Sequence, residues 1–113
     1  MTEREGLEEG AAAETPAEPR AVRIADRVRF WCPGCDTVHE VTVEGPHAWA
    51  YSNDLGEGLT LSPSVLVRGG DPGRRCHSFV SGGSIVFLED CSHGLKGQTV
   101  KLPTVSSWRF GAA

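Results

Sequence analysis

The chain of 113 residues is poor in aromatic side chains, with four Phe, three Trp and one Tyr, and it holds a single Met. Only 39% of it is hydrophobic, and no stretch approaches the ~20 consecutive apolar residues that a membrane helix needs. A basic face is also missing. The net charge of −4 sits entirely in residues 1–20, where six Glu oppose two Arg; from Ala21 onward nine acids balance nine bases. A near-neutral domain behind an acidic segment excludes bulk attraction to nucleic acid or to an anionic membrane. The acidic start lacks the basic-then-apolar order of a secretory signal, so a cytosolic setting is expected.

Turn formers, by contrast, are plentiful. Fourteen Gly and seven Pro favour short strands over helices. Residues 1–20 are rich in Glu, Ala, Gly and Pro and read as a disordered acidic tail. Residues 21–110 read as one mostly β, antiparallel domain. Val22, Ile24, Val28 and Phe30 fall at even spacing, as in one half-buried strand interrupted at Asp26. "HEVTVEG" (39–45) alternates as a second strand, and "HAWAYS" (47–52) is a short third. "LTLSPSVLVRGG" (59–70) reads as a strand that is an edge, or is broken, at Pro63, which has no N–H to give a ladder. In "CHSFVSGGSIVFLEDC", two apolar runs flank Gly82-Gly83, a pair that tolerates the positive φ of a tight hairpin turn. "GQTVKLPTV" (97–105) supplies a last strand.

Four cysteines remain: Cys32, Cys35, Cys76 and Cys91. "CPGC" is a knuckle whose Pro and Gly favour a turn that aims two sulfurs at one point. Cys76 enters the predicted hairpin and Cys91 leaves it, and folding at Gly82-Gly83 is expected to bring them side by side. Four thiolates would close a tetrahedral zinc site, and a small glycine-rich β domain gains most from such a staple. A thioredoxin-like dithiol calls for a helix after C-x-x-C, whereas "DTVHEVTV" reads as strand. Disulfides suit a cytosolic chain poorly.

His77 follows Cys76 and His93 lies two residues past Cys91, so either could replace a cysteine and give three thiolates with one imidazole. A sharper alternative makes His77, Asp90 and His93 a polar cluster beside an open zinc position, as in a small metal-dependent hydrolase. The plainer reading keeps them near a closed site. Trp49 is expected in the core, Trp31 over the metal site, and Trp108 in terminal packing. Ser62 and Ser64 flank Pro63 with no base at recognisable spacing and are not read as nucleophiles. Arg74-Arg75 is too small a basic spot for nucleic acid.

"WCPGCDTVH", "LTLSPSVLV", "CHSFVSGGSIVFLEDCSHGLKGQTVKLP" and the tryptophan of "AWAYS" together resemble a small phage- and prophage-encoded family of unknown function, whose members are sometimes mislabelled as ammonia monooxygenases. The likeness spans residues 30–103. It implies a metal-binding domain through Cys32, Cys35, Cys76 and Cys91, with His77 and His93 as recurrent neighbours. Asp36 stands where the family usually has Gly, and Leu59 where it usually has Pro. Relatives occur beside bacterial ubiquitin-like conjugation genes, which points to protein partners. The leading expectation is therefore a phage-encoded, non-enzymatic, zinc-ribbon-like β domain. It would carry structural Zn2+ and act through protein–protein contact in the cytoplasm of a bacterial host.

Overall fold

The computed structural model describes residues 18–69 and 73–109. The tail expected over residues 1–20 falls almost wholly outside them. Eight strands run in chain order: β1 (Ala21–Ile24), β2 (Arg27–Cys32), β3 (Thr37–Thr42), β4 (Ala50–Tyr51), β5 (Leu61–Val67), β6 (Cys76–Ser81), β7 (Ser84–Phe87) and β8 (Thr99–Lys101). A 3-10 turn, Val105–Ser107, follows. The strands form two antiparallel sheets, ordered β1-β2-β3 and β4-β5-β6-β7-β8. The mostly β, antiparallel class expected from the sequence is the class observed. No helix among the described residues is long and apolar enough to cross a membrane.

The run of residues 22–30 is a hairpin instead of one strand: Ile24 lies opposite Arg27, and Ala25-Asp26 makes the turn with Ala25 at φ 53°. Asp26, which breaks the apolar alternation, does so because it is the corner. The hairpin read from Gly82-Gly83 is present, with Ser81 opposite Ser84 and both glycines at positive φ (57° and 78°).

Period-two alternation sorts β6 cleanly: Cys76, Ser78 and Val80 are buried, while His77, Phe79 and Ser81 turn outward. Val28, Phe30 and Cys32 of β2, with Leu61 and Val65 of β5 and Phe87 of β7, join the buried side chains of β6 in one core between the sheets. Across Pro63 the β5–β6 register slips. Leu61 faces Val80 and Val65 faces Ser78, so β5 spends four residues where β6 spends two. Proline cannot donate to the ladder, and the segment from Ser62 to Ser64 bulges out of it. β5 is thus irregular at Pro63, as read from sequence, yet continues through to Val67.

Phe87 is 1% exposed and is among the largest side chains buried in this core. Phe87→Ala is expected to lower the unfolding free energy by about 3–5 kcal/mol, read as a fall in the urea midpoint at unchanged slope.

Candidate active site and metal centre

Cys32 ends β2, Cys35 lies in the turn before β3, Cys76 opens β6, and His93 stands in the loop after β7. Their ligand atoms lie within 4.8 Å of one another, a group that could hold a metal ion. The knuckle is closed by Asp36 N–H donating to Cys32 C=O at 2.7 Å, and Cys35 N–H points at Cys32 Sγ at 3.3 Å. Asp36 takes φ 59°, a conformation that glycine adopts without strain and Asp tolerates. Cys32 Sγ and Cys76 Sγ are 3.7 Å apart. Two sulfurs each ~2.3 Å from a tetrahedral ion would be separated by about 3.8 Å, so this pair already has the spacing of a tetrahedral edge.

The imidazole of His93 packs edge-on against Phe87 at 4.6 Å and lies over Gly34. Its Nε2 is buried with no hydrogen-bond partner, and Nδ1 accepts the Leu95 N–H at 3.2 Å. A buried nitrogen without a partner, facing three sulfurs, fits a metal ligand. Ligation through Nε2 places the ring proton on Nδ1, so the Leu95 contact must lengthen when an ion is held.

The cluster's own electrostatics favour a cation. The hydrogen bond from Cys76 holds Cys32 down to about 4 against the cost of burial, with His39 and the Cys35 N–H assisting. Burial, then the Cys32 charge, pushes Cys35 up to about 11. Cys76 is driven up by the proton that it shares with Cys32 and by burial. Three thiolates cannot coexist here without a positive ion between them.

Cys91, expected as a fourth ligand, is not in this group. Carried past Ser78 opposite Phe87, the hairpin register sets Glu89, not Cys91, across from Cys76. Cys91 instead folds back on β6, its Sγ receiving the His77 N–H at 3.3 Å and donating to the His77 C=O at 3.2 Å. All four cysteines are free of disulfides.

His77, Asp90 and His93, grouped around an open metal position in the hydrolase alternative, are divided between two sites. His93 belongs to the thiols. His77 and Asp90 belong to a second constellation on the outer face of the five-stranded sheet. Ser64 Oγ is 3.0 Å from His77 Nε2, and His77 Nδ1 is 3.1 Å from Asp90 Oδ2. A carboxylate only accepts, so Nδ1 carries the proton and Nε2 accepts from the serine hydroxyl. Burial works against the Asp90 charge. The His77 contact, the Asp90 backbone N–H and Arg75 together outweigh it and hold the carboxyl below its usual range. Arg75 Nη1 stands 3.7 Å from Asp90 Oδ2. With a depressed pKa the carboxylate persists above its unfolded value, and its charge is lost only as pH falls through the lowered one.

Ser64, set aside on sequence spacing, is the residue that this geometry adds. Leu66 faces His77 across the β5–β6 ladder, and Ser64 lies two residues earlier on the same face. The signal was present in the outward positions of β5 and β6, but only the register reveals it. Trp49, expected in the core, packs partly against it and donates its indole N–H to Ser64 C=O at 3.3 Å. Trp31 lies beside Trp108, with ring centroids 6.2 Å apart.

Gly34→Ala would set a Cβ 2.2 Å from the His93 ring. Loss of metal stoichiometry is expected by elemental analysis, whereas Gly69→Ala, whose Cβ meets nothing within 4 Å, should retain it. Metal uptake at neutral pH is expected to displace two protons, from Cys35 and Cys76, because both pKa values are raised while Cys32 is already ionised. Affinity should therefore rise with pH and fall in acid. Dye-detected proton release in weak buffer checks this, and a release of zero would contradict the thiol assignment.

The family described as Bacterial ubiquitination-like system serine protease (BubE) matches residues 7–88. No curated protein and no solved structure matches the chain.

Proposed function

The chain belongs to the BubE family of bacterial ubiquitination-like system serine proteases, and on that footing we propose that it is a serine peptidase with Ser64 as nucleophile, His77 as general base and Asp90 as the carboxylate that orients it. The observation carrying this reading is the unbroken relay from Ser64 Oγ to His77 Nε2 (3.0 Å) and from His77 Nδ1 to Asp90 Oδ2 (3.1 Å). These are the contacts that activate a hydroxyl for acyl transfer, and such triads are recognised by geometry and not by chain order. Attack of Ser64 Oγ on a substrate carbonyl forms the C–O bond while its proton passes to His77 Nε2. Breaking the C–N bond returns that proton to the leaving amine. Water, deprotonated by His77, then hydrolyses the acyl-serine.

The metal in this reading is structural. Three thiolates and an imidazole select a soft or borderline ion, and zinc meets both the donor set and the tetrahedral spacing. Four protein donors close its shell, so its part is to tie β2 and its knuckle to the start of β6 and to the loop carrying His93. The protein partner expected from sequence enters as the substrate, within a ubiquitination-like system of a bacterium. A bacterial cytoplasm suits four unpaired cysteines. A purely structural interaction module is the lesser reading, because such a module has no need of a hydrogen-bonded serine, histidine and aspartate on an exposed sheet face.

A fluorophosphonate probe tests the nucleophile without knowledge of the substrate. Adduct mapping by mass spectrometry is expected to find Ser64, with no labelling in Ser64→Ala. Asp90→Asn should slow labelling by about 10³–10⁴-fold through loss of the His77 tautomer, at unchanged metal content. Undiminished labelling of Ser64→Ala would end the proposal.

A further inference from the structure

The ladder register shows which main-chain groups of β5 are taken. His77 turns its C=O to Leu88 N–H (2.9 Å) and its N–H to Cys91 Sγ, both on the side away from β5. Main-chain groups alternate in direction along a strand. Ser78 and Cys76 therefore face β5, and their partners Val65 and Val67 face β6. Ser64 and Leu66 point the opposite way, and the Trp49 indole on Ser64 C=O agrees with that direction. β4 pairs with β5 only at Leu61 and Ser62. Among the described residues, Leu66 thus presents its N–H and C=O on an edge that no strand covers. On β3, Thr42 C=O accepts Trp49 N–H (2.8 Å), so Val38, four residues earlier, also faces away from β2.

Between these two edges lies a cleft of about 300 Å³. Thr37, Val38 and His39 form one wall, Val67 and Gly69 the other, Cys35 and Cys76 the floor. Arg74 also lines it and is exposed, and among the described residues no carboxylate lines the cleft with it. Val67 is three residues from Ser64, roughly 10 Å along the strand. The cleft therefore continues the strand that carries the nucleophile. On the outer face, Leu66 and Phe79, 46% and 45% exposed, flank Ser64 and His77.

We propose that this cleft binds an extended segment of the polypeptide substrate as an added strand. The segment bonds through its main chain to Leu66 and Val38, places a carboxylate side chain at Arg74, and reaches Ser64 with its acyl carbon. The proposal rests on Ser64 being the nucleophile. An unpaired strand edge recognises any extended chain by its amides, and alternate side-chain contacts add selectivity. Arg74 supplies the charge preference, while Leu66 and Phe79 favour apolar residues beside the scissile bond. The substrate class is an unfolded tail or linker with an acidic residue a few positions from the cleavage point.

Two readouts on the metal-loaded full-length protein test this. In the first, acetylated tetrapeptide aldehydes with Asp or Lys at each position compete with the fluorophosphonate for Ser64. The Asp series is expected to compete better, with Arg74→Glu reversing the order. N-methylation of the amide facing Leu66 should weaken competition about tenfold, the worth of one hydrogen bond. In the second, the corresponding non-electrophilic amides are added and backbone hydrogen exchange is followed. Slower exchange at Leu66 and Val38 supports the added strand. Intact labelling with competition indifferent to N-methylation, or protection elsewhere, overturns it. Protection already present without peptide and lost on deleting residues 1–17 gives the edge to the chain's own segment and equally overturns it. If the fluorophosphonate does not label Ser64, the nucleophile assignment falls, while exchange at Leu66 and Val38 still decides the edge.

Discussion

The alternation of side chains along β6 is the constraint on which the rest of this molecule depends. Cys76 points inward to the thiols of Cys32 and Cys35, and His77, the next residue, points outward to Ser64 and Asp90. Consecutive residues of a strand cannot share a face. A cluster able to hold a metal and the Ser64–His77–Asp90 contacts can therefore stand one residue apart without sharing side chains. An ion held by Cys76 would also fix the strand that carries His77, and His93 would do the same for the loop that follows Asp90.

This arrangement bears on how so small a core holds Ser64, His77 and Asp90 in contact. The buried residues of β2, β5, β6 and β7 make one cluster, but the two sheets share no ladder. An ion held by three thiolates and one imidazole would join them where Cys32 of β2 meets Cys76 of β6. Binding free energies on the order of 10 kcal/mol for such sites in small domains exceed what a few more buried apolar side chains would contribute. Further contacts hold these three side chains: Arg75 and His77 on Asp90, Trp49 on the Ser64 carbonyl, and Cys91 on both main-chain groups of His77. Cys91 thus braces the backbone of His77, although its chemistry alone would suit a metal ligand.

The irregular piece of the five-stranded sheet is also the one that carries Ser64. Pro63 breaks the ladder between Leu61 and Val65, which lifts Ser64 out of regular pairing while leaving it diagonal to His77. Past the bulge the same strand continues with an edge that no strand among the described residues covers, so Ser64 and the cleft belong to one element.

By itself the sequence determined the antiparallel β class, the Gly82-Gly83 hairpin, the Cys32–Cys35 knuckle with Cys76 as a third sulfur, and the interest of His77, Asp90 and His93. Each of these is local: alternation, turn chemistry and short spacing are written within a few residues. It named Cys91 as the fourth ligand, with His77 or His93 as the alternative, and it passed over Ser64. Those were decided by tertiary structure, because both depend on register. One slip of two residues moves Cys91 past Cys76 and onto the His77 backbone, and another, at Pro63, sets Ser64 within 3.0 Å of His77. Register is fixed by pairing between strands far apart in the chain, and no spacing within either strand records it.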